Sequence, residues 1–159
     1  MTLIDKEPVK RVQKILKQFD INSEIIVLKS PARTALEAAK SLNCEVGAIV
    51  KSLLFKTEQN FILCLVAGDK KASLNKIKKI LNMKDISMAS ADDVKNVTGF
   101  TIGGVSPIGH LNKIEILIDL SLKRFDELFA AAGHPNCIFK ISFEDLSKIT
   151  NGSIRELVE

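Results

Sequence analysis

The sequence contains little of the chemistry from which disulfide and metal sites are built. It has 159 residues, of which three are cysteine and two are histidine. Cys44, Cys64 and Cys137 lie far apart and form no CxxC pair, which disfavours a disulfide framework and a zinc site. His110 and His134 lack a third ligand and make a poor metal site. We therefore expect neither a metal nor any other cofactor.

Long apolar segments and linkers are scarce as well. No apolar run approaches the roughly 20 residues that span a membrane, and the N-terminal "MTLIDKEPVKRV" lacks the apolar core of a signal peptide. No repeat, low-complexity tract or linker rich in proline and serine divides the chain. With 46% hydrophobic and 26% charged residues, the composition is typical of globular proteins. We expect a single domain over residues 1–159, located in the cytoplasm and without a membrane partner.

The spacing of apolar residues and the positions of capping residues predict a mixture of helices and strands. Helices are predicted over 8–20, 33–43, 90–99, 121–133 and 143–152, with a further lysine-rich helix after Ser73. Strands are predicted over 23–29, 47–56, 60–68, 113–119 and 137–142, and the second and third of them form a hairpin. Because strict alternation of strand and helix is absent, we predict an α+β fold. Its sheet is mixed, mostly antiparallel and barrel-like, and helices surround it.

Positive charge is concentrated in one segment. The net charge is +4 and the pI about 9.0, which is compatible with a nucleic-acid partner. The segment "GDKKASLNKIKKILNMK" carries six lysines, among them Lys70, Lys71, Lys76, Lys78 and Lys79. They form either the solvated face of an amphipathic helix or a contact surface for phosphates. The sequence leaves both interpretations open.

The segment "GFTIGGVSPIGH", residues 99–110, is the richest in glycine. No lysine follows its glycines, which excludes a Walker loop, and its spacing does not fit a dinucleotide-binding loop. The stretch around Ser106 is one residue too long for a serine-hydrolase elbow. Gly103 and Gly104 let a ligand approach the backbone N–H groups, which can hold an oxyanion. The alternative is a tight bend at a corner of the sheet.

Lys51 is unusual for its strand. It shares one face with Ile49, Leu53 and Phe55, and lysine is rarely buried without a partner. Its side chain either reaches solvent at the sheet edge or enters a cleft, where it meets an anion or a developing negative charge.

Three further polar residues stand at the ends of predicted elements. Thr34 fits the N-cap of the helix over 33–43, and Asp119 is better suited to a helix cap than to a catalytic base. His134 follows the predicted helix over 121–133, where it either lines a pocket or caps a turn.

Together these segments resemble a known family. "RTALEAAKSLNCEVGAIVKSLLFK", "TGFTIGGVSPIGH" and "LIDLSLKRFDELFAAAGHPNCIFKISFEDLSKITNG" resemble, in order and spacing, the YbaK/prolyl-tRNA synthetase-associated domain family of aminoacyl-tRNA deacylases. The family's fold is a mixed α+β unit around a largely antiparallel, barrel-like sheet. The resemblance implies trans-editing for translation fidelity, in which the ester between a wrong amino acid and its tRNA is hydrolysed without a metal.

The resemblance also implies roles for particular residues. Lys51, Gly103 and Gly104 would be catalytic. Substrate binding would involve Thr34, Phe100, Ser106, Pro107, Gly109 and His134. Phe100 is the candidate for stacking on the terminal adenine, because the chain has no tryptophan or tyrosine. Lys70, Lys71, Lys76, Lys78 and Lys79 would contact tRNA phosphates.

The partners implied are aminoacyl-tRNA and, as a second partner, an aminoacyl-tRNA synthetase. "AAGHPN" resembles the branch that acts on alanine, serine or threonine. Val105 replaces the cysteine of the cysteine-specific GGCSPIG, whereas Ser106 replaces a proline of the small-residue variant GGVPPVGH. A small amino acid other than cysteine is therefore expected. The alternative function is a non-catalytic tRNA-binding or regulatory module with the same fold.

Overall fold

The computed structural model describes residues 2–159 and contains five α-helices, whose ends are set by capping residues. At four of them a Thr or Ser hydroxyl oxygen accepts a hydrogen bond from the backbone N–H three residues later, the standard N-cap. Three helices end at an asparagine in the left-handed conformation and one at Gly99. The helices are α1 (Glu7–Gln18), α2 (Ala35–Leu42), α3 (Leu74–Leu81), α4 (Ala91–Thr98) and α5 (Phe143–Thr150).

Eight strands form one sheet in the order β1-β7-β6-β2-β3-β5-β8, and β4 pairs with a second part of β2. The strands are β1 (Ile26–Val27), β2 (Ile49–Thr57), β3 (Phe61–Ala67), β4 (Ile86–Met88), β5 (Glu115–Asp119), β6 (Leu128–His134), β7 (Cys137–Ile141) and β8 (Ser153–Arg155). Four of the pairings are antiparallel and three are parallel. The predicted α+β fold with a mostly antiparallel mixed sheet is confirmed.

Helices cover both faces of the sheet. Along β3, Leu63 and Leu65 belong to the larger core, which also contains buried residues of α1, α4 and α5. Cys64 and Val66 point to the other face and belong to a second core with Ile77 of α3. This alternation is the period of a strand buried on both sides. None of the helices in residues 2–159 is long and apolar enough to cross a membrane.

The predicted helix over 121–133 is wrong. A short 3-10 helix (Leu120–Arg124) is followed by β6, in which Leu128, Ala130 and Ala132 are buried. The strand pairs with β7 on one side and with β2 on the other. β2 lies far from β6 in sequence, and β7 follows β6 in the chain. Pairing with these strands overrides the local helix preference of the alanines.

Gly133 is therefore not a helix stop, and His134 does not follow a helix. Gly133 lies within β6 at φ +92°, beside a register shift between Ala131 and His134. A Cβ atom there would lie 2.8 Å from the carbonyl oxygen of Pro8 in α1. Glycine allows both the positive φ and the close approach of α1. His134 is the last residue of β6, at the turn to β7.

One edge of β2 is only partly paired. β6 pairs with Ile49 and Val50, and β4 pairs only from Phe55 onwards. Between these two registers, the edge from Lys51 to Leu54 carries no neighbouring strand among the described residues. This open edge of β2 positions the candidate site.

Candidate functional site

A cavity of about 370 Å³ lies along the open edge of β2, a size in the range of small-molecule sites. All four residues of the open edge line it. The start of α2 and the residues before it form one wall, the glycine-rich loop after α4 forms another, and β4, β6 and β7 contribute the rest. The remaining cavity residues are Ala32, Arg33, Thr34, Ala35, Ala38, Ile49, Val50, Met88, Ala89, Val94, Ile102, Gly103, Val105, Phe129, Ala131 and Ile138.

The cavity wall is mostly apolar, and its charged side chains are positive. Arg33 and Lys51 are its charged side chains, and no carboxylate of residues 2–159 lines it. Thr34 and Ser52 contribute the hydroxyl groups. Such a cavity suits a ligand that combines apolar surface with a phosphate or an electron-rich carbonyl group.

Lys51 lines the cleft and is half-buried. Its Nζ donates a hydrogen bond to the Lys70 carbonyl oxygen. Burial lowers the pKa of Lys51, and the carboxylate of Asp69 acts in the opposite direction. Asp69 is itself held by two hydrogen bonds from Arg124, of 2.7 and 3.0 Å, and its pKa is lowered chiefly by that contact. Lys51 is thus a partly desolvated cation, anchored at one position of the cavity wall.

The two central glycines of the loop have different positions. Gly103 lines the cavity at φ +93°, and a Cβ atom there would lie 3.3 Å from Cγ of Arg33. Gly104 packs on the β6–β7 hairpin, because a Cβ atom there would lie only 2.9 Å from Cα of His134. Its N–H donates to the Thr101 carbonyl oxygen at 2.9 Å. The N–H of Gly104 is therefore engaged within the loop, and Gly103 is the glycine exposed to a ligand.

The second half of the loop, residues 106–109, does not line the cavity, and its last residue, Gly109, packs against α1. Ser106 is fully buried, and its Oγ accepts a hydrogen bond from the Ile108 N–H at 3.3 Å. Pro107 is buried as well. The Gly109 carbonyl oxygen accepts a 2.8 Å hydrogen bond from Nε of Arg11. Ser106, Pro107 and Gly109 do not line the cavity, so the structure does not support the expectation that they contact substrate there.

Phe100 also belongs to the interior. Only 1% of its surface is exposed, and it is part of the larger core. The guanidinium carbon of Arg11 lies 4.8 Å from its ring centroid. The centroid of the His110 ring lies 5.9 Å from that of Phe100, with an angle of 74° between the ring planes. A ring enclosed in this way offers no open face to an adenine, so the structure does not support the predicted role of Phe100 in stacking.

Thr34 lies in the cavity wall and His134 lies outside it. Thr34 lines it and at the same time caps α2, since its Oγ1 accepts a hydrogen bond from the Glu37 N–H at 3.1 Å. His134 lies outside the cavity wall, where its Nδ1 accepts a hydrogen bond from the Asn136 N–H at 3.1 Å. Burial lowers the pKa of His134, and the positive charges of Lys6 and Arg33 lower it further. All three effects favour the neutral imidazole.

The lysine-rich segment lies away from the cavity. None of its five predicted contact lysines lines the wall, although the backbone of Lys70 holds the Lys51 side chain. Nζ of Lys76 donates to the Val158 carbonyl oxygen at 2.7 Å, and Nζ of Lys71 is 4.0 Å from Glu159. Within α3, Ile77 is buried and Lys79 is exposed. The helix is amphipathic, as one interpretation of the sequence required, and its charged face is open to a partner.

Sequence reasoning missed Arg33 and Ser52. Arg33 precedes the capping Thr34 and offered no pattern of its own. Ser52 did carry a signal, because it stands between Val50 and Leu54 on the face of β2 that points into the larger core. Asp119, in contrast, was predicted correctly as a cap: its Oδ2 accepts a hydrogen bond from the Ser121 N–H at 3.0 Å.

Fold and cavity together define a single α+β unit with a small-molecule-sized cleft whose charged side chains are both cations. The family model for the aminoacyl-tRNA editing domain matches residues 29–149, and the chain belongs to this family. The resemblance seen in the sequence is confirmed.

Individual relatives agree with this assignment. The uncharacterized protein YwhH of Bacillus subtilis is 31% identical over 143 residues, covering 89% of this chain and 90% of that protein. The proline–tRNA ligase of Caldicellulosiruptor saccharolyticus is 28% identical over 74% of this chain, which spans only 19% of the ligase. A solved structure described as a candidate trans-editing enzyme for prolyl tRNA synthetase has a TM-score of 0.91 and 33% identity, covering 97% of this chain and 98% of that one.

Proposed function

We propose that this protein is an aminoacyl-tRNA deacylase that hydrolyses mischarged tRNA in trans, without a metal. The observation that carries the proposal is the cavity on the open edge of β2. There Lys51 and Gly103, from distant parts of a chain matched by the editing-domain model, line one apolar cleft. The cleft is large enough for an aminoacyl group and part of the terminal adenosine.

The proposed reaction is ester hydrolysis. A water molecule attacks the carbonyl carbon of the aminoacyl ester and forms a tetrahedral intermediate with a negatively charged oxygen. The ester C–O bond then breaks, the ribose oxygen takes up one proton of the attacking water, and the amino acid leaves as its carboxylate while the second proton passes to solvent. Because an aminoacyl ester is already activated, positioning of the reactants and stabilisation of the oxyanion are sufficient.

Lys51 and Gly103 supply that stabilisation in the proposal. The Lys51 ammonium group is partly desolvated, so its interaction with a developing negative charge is stronger than it would be in water. At Gly103 no side chain shields the backbone from the ester. Arg33 lies beside Gly103 and is suited to a phosphate of the tRNA end.

The amino acid released is expected to be alanine, serine or threonine rather than cysteine. The cavity wall near the loop is made by small and medium apolar residues, Val105 and Ala131 among them. The relation to proline–tRNA ligases makes tRNA for proline the first carrier to test, with a synthetase as a second partner.

The test is deacylation of a panel of tRNAs charged with alanine, serine, threonine, cysteine or proline, with and without EDTA. We expect release of at least one small amino acid at a rate unaffected by EDTA. Activity abolished by EDTA and restored by zinc contradicts the metal-free mechanism. Binding of charged tRNA with no release of any amino acid indicates instead the non-catalytic tRNA-binding module.

A further inference from the structure

Ser52, in the middle of the open edge of β2, carries a polar group that the fold leaves unused. Its Oγ is buried and has no hydrogen-bond partner among residues 2–159. It is the one buried side-chain nitrogen or oxygen of the described residues that lacks a partner. A buried hydroxyl without a partner costs folding free energy. Ser52 lines the cavity, so a bound ligand is the natural source of the missing partner.

The backbone of Ser52 faces the same gap. The Gly68 N–H donates a hydrogen bond to the Ile49 carbonyl oxygen, and the Thr57 N–H donates one to the Asn60 carbonyl oxygen. Ile49 and Thr57 therefore bond towards β3, and the other odd-numbered residues of β2 direct their peptide groups the same way. The even-numbered residues direct theirs to the opposite edge, where the Leu54 carbonyl accepts a hydrogen bond from Ala89 N–H at 3.0 Å. Val50 pairs with β6. Ser52 thus presents its peptide groups where neither β4 nor β6 is in register.

The cavity also lacks the usual partner for a cationic ligand group. An aminoacyl ester carries an α-ammonium group with three N–H donors, and no carboxylate from the described part of the chain lines the wall. Neutral oxygen acceptors must therefore hold that group, since a buried charge without hydrogen bonds is very costly. The Ser52 hydroxyl and carbonyl oxygens are two such acceptors, side by side.

We infer that Ser52 binds the α-ammonium group of the amino acid, with its Oγ and its peptide carbonyl oxygen accepting hydrogen bonds from that group. The inference rests on the proposed function. It makes Ser52 a substrate-binding residue that distinguishes a free aminoacyl ester from one whose amino group is blocked.

The test compares wild-type protein with Ser52→Ala on two substrates, a small aminoacyl-tRNA and its N-acetylated form. With the free amino group, Ser52→Ala is expected to lower kcat/KM about tenfold, the effect of losing one hydrogen bond to a charged group. With the N-acetylated substrate, the two proteins are expected to react at equal rates, because no ammonium group is present.

Thermal unfolding supplies an independent readout. Ser52→Ala removes an unpaired buried hydroxyl, so the unfolding midpoint is expected to stay unchanged or to rise. Ser142→Ala is the matched control, since it removes the N-cap of α5, where Oγ accepts a hydrogen bond from Asp145 N–H at 3.1 Å. That variant should lower the midpoint and leave kcat/KM unchanged on both substrates.

The outcomes separate the two claims. If wild-type protein deacylates a free aminoacyl-tRNA and Ser52→Ala does so equally well, the inference is overturned and the proposed function stands. The inference is also overturned if Ser52→Ala lowers kcat/KM on both substrates by one factor, or if it unfolds at a clearly lower midpoint. If wild-type protein releases no amino acid from any charged tRNA, the proposed function itself is wrong.

Discussion

The two halves of the glycine-rich loop look alike in sequence and have different roles in the fold. Residues 102–105 contribute Gly103 to the cavity wall. Residues 106–109 lie outside that wall, and Gly109 packs on α1 and accepts a hydrogen bond from Arg11. Glycine and proline are common to both functional loops and tight bends, so neither half is distinguished by composition. The comparison separates residues whose loss should affect catalysis from residues whose loss should affect folding.

The largest effect is expected on the packed side. Phe100→Ala removes a fully buried aromatic ring from the larger core and should lower the free energy of unfolding by about 3–5 kcal/mol. Chemical denaturation followed by circular dichroism measures this loss. Deacylation per folded molecule should change little, because Phe100 does not line the cavity. If Phe100→Ala has normal stability and a specific loss of turnover, Phe100 takes part in the site after all.

The next effect is expected on the cavity side. Lys51→Ala should reduce single-turnover deacylation by about a hundredfold or more, the scale for loss of one group that stabilises a transition state. Lys51→Arg should restore little, because a planar guanidinium does not reproduce a compact ammonium group. The unfolding midpoint should change little, since alanine leaves no unpaired buried charge behind.

The matched control for Lys51 is Lys56→Ala, which changes an exposed lysine on the same strand. Its turnover should equal that of the wild-type protein. If Lys51→Ala also retains near-normal turnover with an unchanged melting curve, Lys51 is a structural lysine and its proposed catalytic role is wrong.

Much of the fold was predictable because its signals are local. Thr34, Ser73, Ser90 and Ser142 cap their helices within three residues, and the β2–β3 hairpin closes over a short turn. β6 was mistaken for a helix because its two partners lie far from it in sequence or beyond the next turn. The buried residues of β6 alternate with a period of two, but this pattern is hard to recognise in a run of alanines whose neighbouring residues also favour a helix.

The site was predictable only where one residue broke a pattern. Lys51 interrupts an apolar strand face, and this signal located one wall of the cavity. The division of the loop could not be predicted, since it depends on where α1 packs, and α1 lies some 90 residues before the loop. The open edge of β2 results from the ends of two strand registers, which no local pattern encodes.

A third prediction concerns a surface outside both regions. If the lysine-rich segment contacts tRNA phosphates, changing Lys78 and Lys79 to alanine should reduce the slope of log K against log salt by about two, roughly one per contact. Titration of tRNA binding at several salt concentrations measures the slope. The matched control changes Lys10 and Lys14, two exposed lysines of α1. An unchanged slope in the Lys78/Lys79 variant would show that these lysines form only a solvated face.

The smallest effect is expected from His110, at the end of the packed half of the loop. Its Nε2 and the Ser106 carbonyl oxygen are 2.7 Å apart, so this nitrogen carries the proton and donates it. Burial lowers the pKa of His110, the hydrogen bond to Ser106 opposes that change, and the positive charge of Arg11 adds to it. A histidine whose pKa is lower in the folded than in the unfolded protein favours folding in its neutral form.

The stabilisation from His110 should therefore be complete above the unfolded pKa of about 6.5. It should decline as the pH falls from that value to the pKa of the folded protein, because over this interval the unfolded chain binds a proton that the folded chain does not. Denaturation at a series of pH values between about 7.5 and about 5 measures this decline. His110→Gln, which keeps a hydrogen-bond donor but does not titrate, should show a flatter profile over that interval, although other groups still contribute. Since His110 lies outside the cavity wall, the substitution should leave the pH profile of kcat/KM unchanged; a shift in that profile would place His110 in the reaction and remove the distinction between the two halves of the loop.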